Sequence, residues 1–415
     1  MCAQTFLSLF LCFSLGISAA LQSSHECSVP KYPITHHTLP IYPPLTIYNG
    51  VYSVDVTVGS QTLRAALDTG SSDTWFLTED TNCTALATLQ PVTPDQCGYS
   101  GPRYDPSGTF EPIPGIHFND SYGTGEVING PLGYTRLGLG GLTIPKAEIS
   151  AATYASVGGD FEGNVSGLIG LSYPGTTAAY PGEDPSKDII CADNATNSTC
   201  GPMRYDPVIT TLFKSNQTLP IFTIALSRSQ NSGGVMTIGG TPHLDTPTVN
   251  ATHGAIVTIP IEPVPNTATI ARYYAGVDGF QYKNSSVHAA QGQYILDTGT
   301  SASILPEAEA AAINALFQPP AFFNKTLNGY TVSCNATAPR VGVKLGGQVF
   351  PHNPRDLIIP ALPTVGDQCF SAIQTSLAAF KLPILGAQFL RSVLVAFDVG
   401  AAELTLWSRV YYEDS

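Results

Sequence analysis

Two copies of one short pattern, far apart in the chain, constrain its fold more than any other feature. Ala66-Leu67-Asp68-Thr69-Gly70-Ser71-Ser72 sets an apolar run before an acid, a Thr, a Gly and hydroxyls, and Tyr294-Ile295-Leu296-Asp297-Thr298-Gly299-Thr300-Ser301 repeats the arrangement. Each reads as a strand ending in a tight loop that presents one carboxylate, with glycine where a side chain would clash. A lone Asp-Thr-Gly arises easily by chance. Two with matching flanks imply similar halves that pack about a pseudo-twofold axis, where Asp68 and Asp297 would meet. Carboxylates that close cannot both ionise, so one keeps a proton while the other serves as a base. A water between them can be deprotonated by one while the other protonates a carbonyl oxygen, which hydrolyses an amide without metal or nucleophilic side chain. The hydroxyls of Ser71 and Thr300, each three residues past its Asp, are placed to orient the outer oxygens, and Gly70 and Gly299 shape the loops.

On these motifs the chain resembles the pepsin-type aspartic proteases, specifically secreted fungal ones. The resemblance runs from about Asn49 to the C-terminus. It implies an all-β, bilobal fold with a few short helices and two pseudo-twofold-related lobes: 21–226, carrying the first motif and a flap, and 227–415, carrying the second. Leu168-Ile169-Gly170 and Ile384-Leu385-Gly386 match segments that pass beside each Asp loop in the family. Ser121-Tyr122-Gly123-Thr124-Gly125 falls where relatives carry the flap, implying that Tyr122 bonds Trp75 and that Tyr122, Gly123 and Thr124 close over substrate. Protein or peptide substrates and pepstatin-type inhibitors would bind extended in the cleft. The resemblance also pairs Cys83 with Cys97 and Cys334 with Cys369; closeness in sequence suggests Cys191–Cys200 and leaves Cys27 over.

Local patterning agrees with an all-β class. Tyr52, Val54, Val56 and Val58 alternate onto one face before the turn at Gly59-Ser60, and a second strand follows through Leu63 to Leu67. Strands are expected at 221–226, 393–397 and 403–407. Three helices are expected: one capped by Asp206 with Pro207 in its first turn, one from Pro306 to Phe317 with Glu307 and Glu309 at its start, and a short one at 387–391.

The N-terminus reads as a secretion signal, with an apolar stretch from Phe6 to Ile17 and a small-x-small site at Ser18-Ala19-Ala20. Signal cleavage leaves only 21–38 before the expected mature start, too short for the family's usual inhibitory pro-segment, so no conventional zymogen is expected. Ten Asn-x-Ser/Thr acceptors, at Asn82, Asn119, Asn164, Asn194, Asn197, Asn216, Asn250, Asn284, Asn324 and Asn335, suit a secreted glycoprotein. A net charge of −13 with 18 Lys plus Arg argues against nucleic-acid and membrane partners. No metal-ligand spacing or cofactor motif occurs, and a monomer is expected. A glycosidase would also use paired carboxylates, but it explains neither the repeat nor the flap. The alternative is a catalytically weak protease-fold inhibitor or binding protein; such relatives usually lose a site residue, and all are present here. Departures from the family are Asp73, where many relatives have Asn, and an insertion from Pro174 to Arg204, expected as a rim loop.

Overall fold

Alternation produces the first well-formed strand, Val51–Val58: Tyr52, Val54, Val56 and Val58 are buried while Asp55 and Thr57 face solvent. It turns at Gly59-Ser60 and pairs antiparallel with Gln61–Asp68, which delivers Asp68 at its end. The computed structural model describes residues 40–48, 50–93, 96–157, 164–188, 201–228, 232–251, 254–282, 286–288, 292–360, 368–375 and 382–409. Cys27, Cys191, Cys200, Asn194, Asn197, Asn284 and the signal segment lie outside them.

The fold is all-β and bilobal. A fourteen-stranded sheet, one of eight and one of four contain the strands among the described residues. The largest sheet takes strands from both halves of the chain: Ile221–Leu226 pairs antiparallel with Val393–Asp398, which forms a hairpin with Glu403–Ser408. Within each half, the Asp-bearing strand pairs in parallel with a short apolar strand. Gln61–Asp68 lies beside Gly167–Gly170, and Gln293–Leu296 beside Ile384–Leu385. Buried on both faces, these short strands are apolar throughout, as parallel pairing requires.

Three α-helices stand among the described residues, at Val208–Lys214, Glu307–Asn314 and Ala387–Leu390. The expected Asp206 cap does not form. Pro207 occupies the cap position in extended conformation, so Asp206 sits one residue too early to reach the free amides; its carboxylate instead takes Lys214 Nζ at 2.7 Å. Disulfides join Cys83 to Cys97 and Cys334 to Cys369. No helix among the described residues is long and apolar enough to cross a membrane.

The 174–204 insertion does more than form a rim loop. Its strand Ala179–Pro181 pairs with the hairpin strand Glu111–Ser121, because extended backbone on both sides leaves amides to share. Asp188 then clamps that strand, accepting from Asn119 Nδ2 at 2.7 Å and meeting His117 Nε2 at 3.0 Å. The Asn119 nitrogen that a glycan would occupy is thus engaged.

Candidate active site

Each Asp loop is built the same way. Asp68 Oδ1 accepts from Gly70 N at 2.7 Å and Oδ2 from Ser71 Oγ at 2.5 Å. Asp297 Oδ1 accepts from Gly299 N at 2.8 Å and Oδ2 from Thr300 Oγ1 at 2.7 Å. The supporting segments hold the loop backbones from behind: Leu171 N donates to Asp68 O at 2.8 Å, and Asp297 N to Leu385 O at 3.1 Å. Both carboxylates are nearly buried, at 6 % and 7 % exposure.

The glycines have a sharper role than bending the chain. A Cβ on Gly70 would lie 2.6 Å from the Asp297 carboxyl carbon, and one on Gly299 would lie 2.6 Å from Asp68 Oδ1. Each glycine therefore makes room for the opposite half's acid. Gly170 and Gly386 do the same for loop backbone, with Cβ positions 2.4 Å from Ser72 C and 2.2 Å from Ala302 O.

Thr69 and Thr298, not singled out in the sequence reading, lock the halves together. Thr69 Oγ1 accepts from Thr298 N at 3.0 Å and donates to Leu296 O at 2.8 Å; Thr298 Oγ1 accepts from Thr69 N at 3.1 Å and donates to Leu67 O at 2.7 Å. All four bonds are fully buried, where geometry is held most rigidly. The repetition of Thr directly after each Asp was the available clue.

Packing the two acids together perturbs Asp68. Burial, followed by the charge of Asp297, pushes Asp68 well above the usual carboxylate range, and the Ser71 hydrogen bond only partly offsets this. One proton held in the pair is the natural result.

Above the dyad, residues 111–121 and 127–139 form a hairpin whose tip is Tyr122–Gly125. Tyr122 N donates to Glu126 O and Gly125 N to Tyr122 O, both at 2.8 Å, closing the turn. The Tyr122 hydroxyl accepts from buried Trp75 Nε1 at 2.7 Å. Tyr122, Gly123 and Thr124 line a cavity of about 320 Å³ together with Asp68, Gly70, Ser71, Asp297, Gly299 and Thr300. Thr124 Oγ1 donates to Glu126 Oε2 at 3.1 Å, so the nearest acid of the tip is turned to its own hairpin.

Asp73 lies fully buried behind the flap. Its Oδ1 accepts from the Tyr205 hydroxyl and, at 3.1 Å, from Ala178 N, while Oδ2 has no partner. Burial, then the charge of Asp120, raises it to about 8. In acid it is therefore neutral, and its buried carboxyl carries no charge there. Tyr205 lies just past the end of the insertion, a partnership no local pattern announces.

A carboxylate pair built by two copies of one loop, crossed by reciprocal Thr bonds and covered by a hairpin, has counterparts. The family model described as eukaryotic aspartyl protease matches residues 51–408. The chain belongs to that family. An Aspergillus fumigatus protein named as a probable aspartic-type endopeptidase is 33% identical over 361 residues, covering 85% of this chain and 77% of that protein. Penicillopepsin-1 of Penicillium janthinellum is 26% identical over 362 residues, 85% of this chain and 93% of its own. Among solved structures, the aspartic proteinase of Irpex lacteus shares the fold with a TM-score of 0.65 at 19% identity, covering 90% of this chain and 98% of that one. This aspartyl protease is accordingly an aspartic-type endopeptidase.

Proposed function

We propose that this aspartyl protease is a secreted, monomeric enzyme that cuts proteins at acid pH, using a water activated between Asp68 and Asp297 and favouring bulky hydrophobic residues at the scissile bond. The observation that carries the reading is the mirrored hydrogen bonding of the two carboxylates, each tied to the Gly two residues on and the hydroxyl three residues on. Asp68, held protonated, donates to the scissile carbonyl oxygen. Asp297 takes a proton from the water, whose oxygen attacks the carbonyl carbon to give a tetrahedral diol. The proton on Asp297 then passes to the amide nitrogen as the C–N bond breaks; the diol returns a proton to Asp68, restoring the pair. The flap excludes bulk water and holds the peptide extended through backbone hydrogen bonds. Tyr99, Leu168, Ile295, Ile304 and Ile384 line the same cavity and supply the apolar contact. Secretion rests on the N-terminal signal and the glycan acceptors.

The test is hydrolysis of an acid-denatured protein by the purified chain, with and without pepstatin, repeated on Asp68→Asn and Asp297→Asn. Activity should be blocked by pepstatin and fall by several orders of magnitude in both variants, because neither carboxyl can perform both proton transfers. Near-wild-type turnover in either variant would refute the assignment.

A further inference from the structure

The cleft also contains a cation that the chemistry above does not use. Arg272 is the one basic side chain among the described residues lining the cavity; the acids there are Asp68, Asp297, Asp120 and Glu126. Arg272 stands two residues before the strand Tyr274–Tyr282 of the second half and reaches across to the first, where its Nε donates to the Gly70 carbonyl at 3.3 Å. Gly70 itself abuts the Asp297 carboxylate, so the guanidinium lies beside the reacting centre. This bond anchors only Nε. Among the described residues, no hydrogen bond engages the two terminal nitrogens and no carboxylate forms an ion pair with them.

An arginine kept only for structure would be expected to spend its whole fork on backbone or an acid, as Arg409 does on the carbonyls of Val249, Leu226, Arg391 and Thr248. Arg272 instead lines the cavity with its two terminal nitrogens unbonded to any described residue, a fork that matches a carboxylate. The charged groups around it are Asp120 on the hairpin, Arg204 on the insertion, and the dyad. Burial lifts Asp120 to about 6, so it is mostly neutral at about pH 5.5 and fully so well below that, and competes little for the guanidinium. Arg204 spends one nitrogen on Thr177 O and adds positive potential.

We propose that Arg272 makes the protease select an acidic side chain, Asp or Glu, in a residue flanking the scissile bond, with the carboxylate taken by the two terminal guanidinium nitrogens. The inference rests on the peptidase reading above and narrows its substrate class: a bulky apolar residue on one side of the cut and an acid on the other.

The experiment uses quenched fluorescent peptides that differ only by Glu or Gln, placed at either residue flanking the cut, with Phe at the other. At about pH 5.5, where a substrate Glu is ionised, kcat/KM should favour Glu over Gln about tenfold or more at one flank. At about pH 3, where Glu is protonated, the ratio should approach one. Arg272→Gln should abolish the ratio at pH 5.5, and Arg272→Glu should shift preference toward a Lys peptide. Equal cleavage of Glu and Gln peptides by the wild-type enzyme would overturn the proposal and leave the peptidase reading standing; so would an unchanged ratio in Arg272→Gln. Failure to cleave any of the peptides would overturn both readings.

Discussion

Replacing Asp73 by Asn should change how stability depends on pH while leaving the fold intact. Asp73 is fully buried, and its native value of about 8 stands far above the ordinary 3.8. Between those values the folded chain keeps a proton that the unfolded chain has released. The stabilisation this represents is complete below about pH 4 and is lost as pH rises to about 8. The displacement corresponds to something on the order of 5 kcal/mol, a large share of a typical folding free energy. Asn cannot ionise, yet it keeps an oxygen for the Tyr205 hydroxyl and the Ala178 amide. Urea unfolding of both proteins at about pH 4, 6 and 8 would measure the effect. The wild type should lose several kcal/mol more than the variant across that range. His352, buried and pushed down to about 4, acts in the opposite sense, destabilising the fold as pH falls from its ordinary 6.5. It is present in both proteins and cancels in the comparison. Parallel pH profiles would refute the reasoning.

Gly299→Ala would put a methyl 2.6 Å from Asp68 Oδ1; kcat/KM should fall roughly a hundredfold or more, with an unchanged circular dichroism spectrum. Buried Asp356 accepts from Arg228 Nε and Nη2 at 2.9 and 2.7 Å and from Arg391 Nη1 at 3.1 Å. Asp356→Ala should therefore destabilise by roughly 3 to 5 kcal/mol, read as a lowered Tm. Asp188→Ala removes the clamp on His117 and Asn119, so amide exchange across 111–121 should accelerate and KM should rise severalfold; unchanged exchange would count against the insertion as a brace of the flap.

Legibility in the sequence followed the range of the interactions. Strand Val51–Val58 and the strands that carry Asp68 and Asp297 announce themselves because alternation and apolar lead-ins are local. The helix beginning at Val208 was legible but its cap was not, since the choice between Asp206 and Pro207 turned on one residue of backbone geometry. Thr69 and Thr298 bond across 229 positions, and nothing near either residue marks the other as its partner. The Asp73–Tyr205 contact spans 132 positions and depends on an insertion whose path no periodicity describes. Nothing local marks Arg272, which the fold brings against Gly70.

The order of strands in the largest sheet also has a consequence for how the enzyme comes into being on the ribosome. Ile221–Leu226 must wait for Val393–Asp398, and the Asp297 amide must wait for the carbonyl of Leu385. At ordinary elongation speeds the delay between the two sheet partners is roughly 10 to 30 s, during which the earlier strand has an open edge. The second carboxylate gains its backbone support only once Leu385, far beyond it in the chain, has been made. Cutting power therefore arrives late: a nascent chain that has not yet reached Leu385 and the strand Val393–Asp398 holds both Asp loops without the sheet that steadies them.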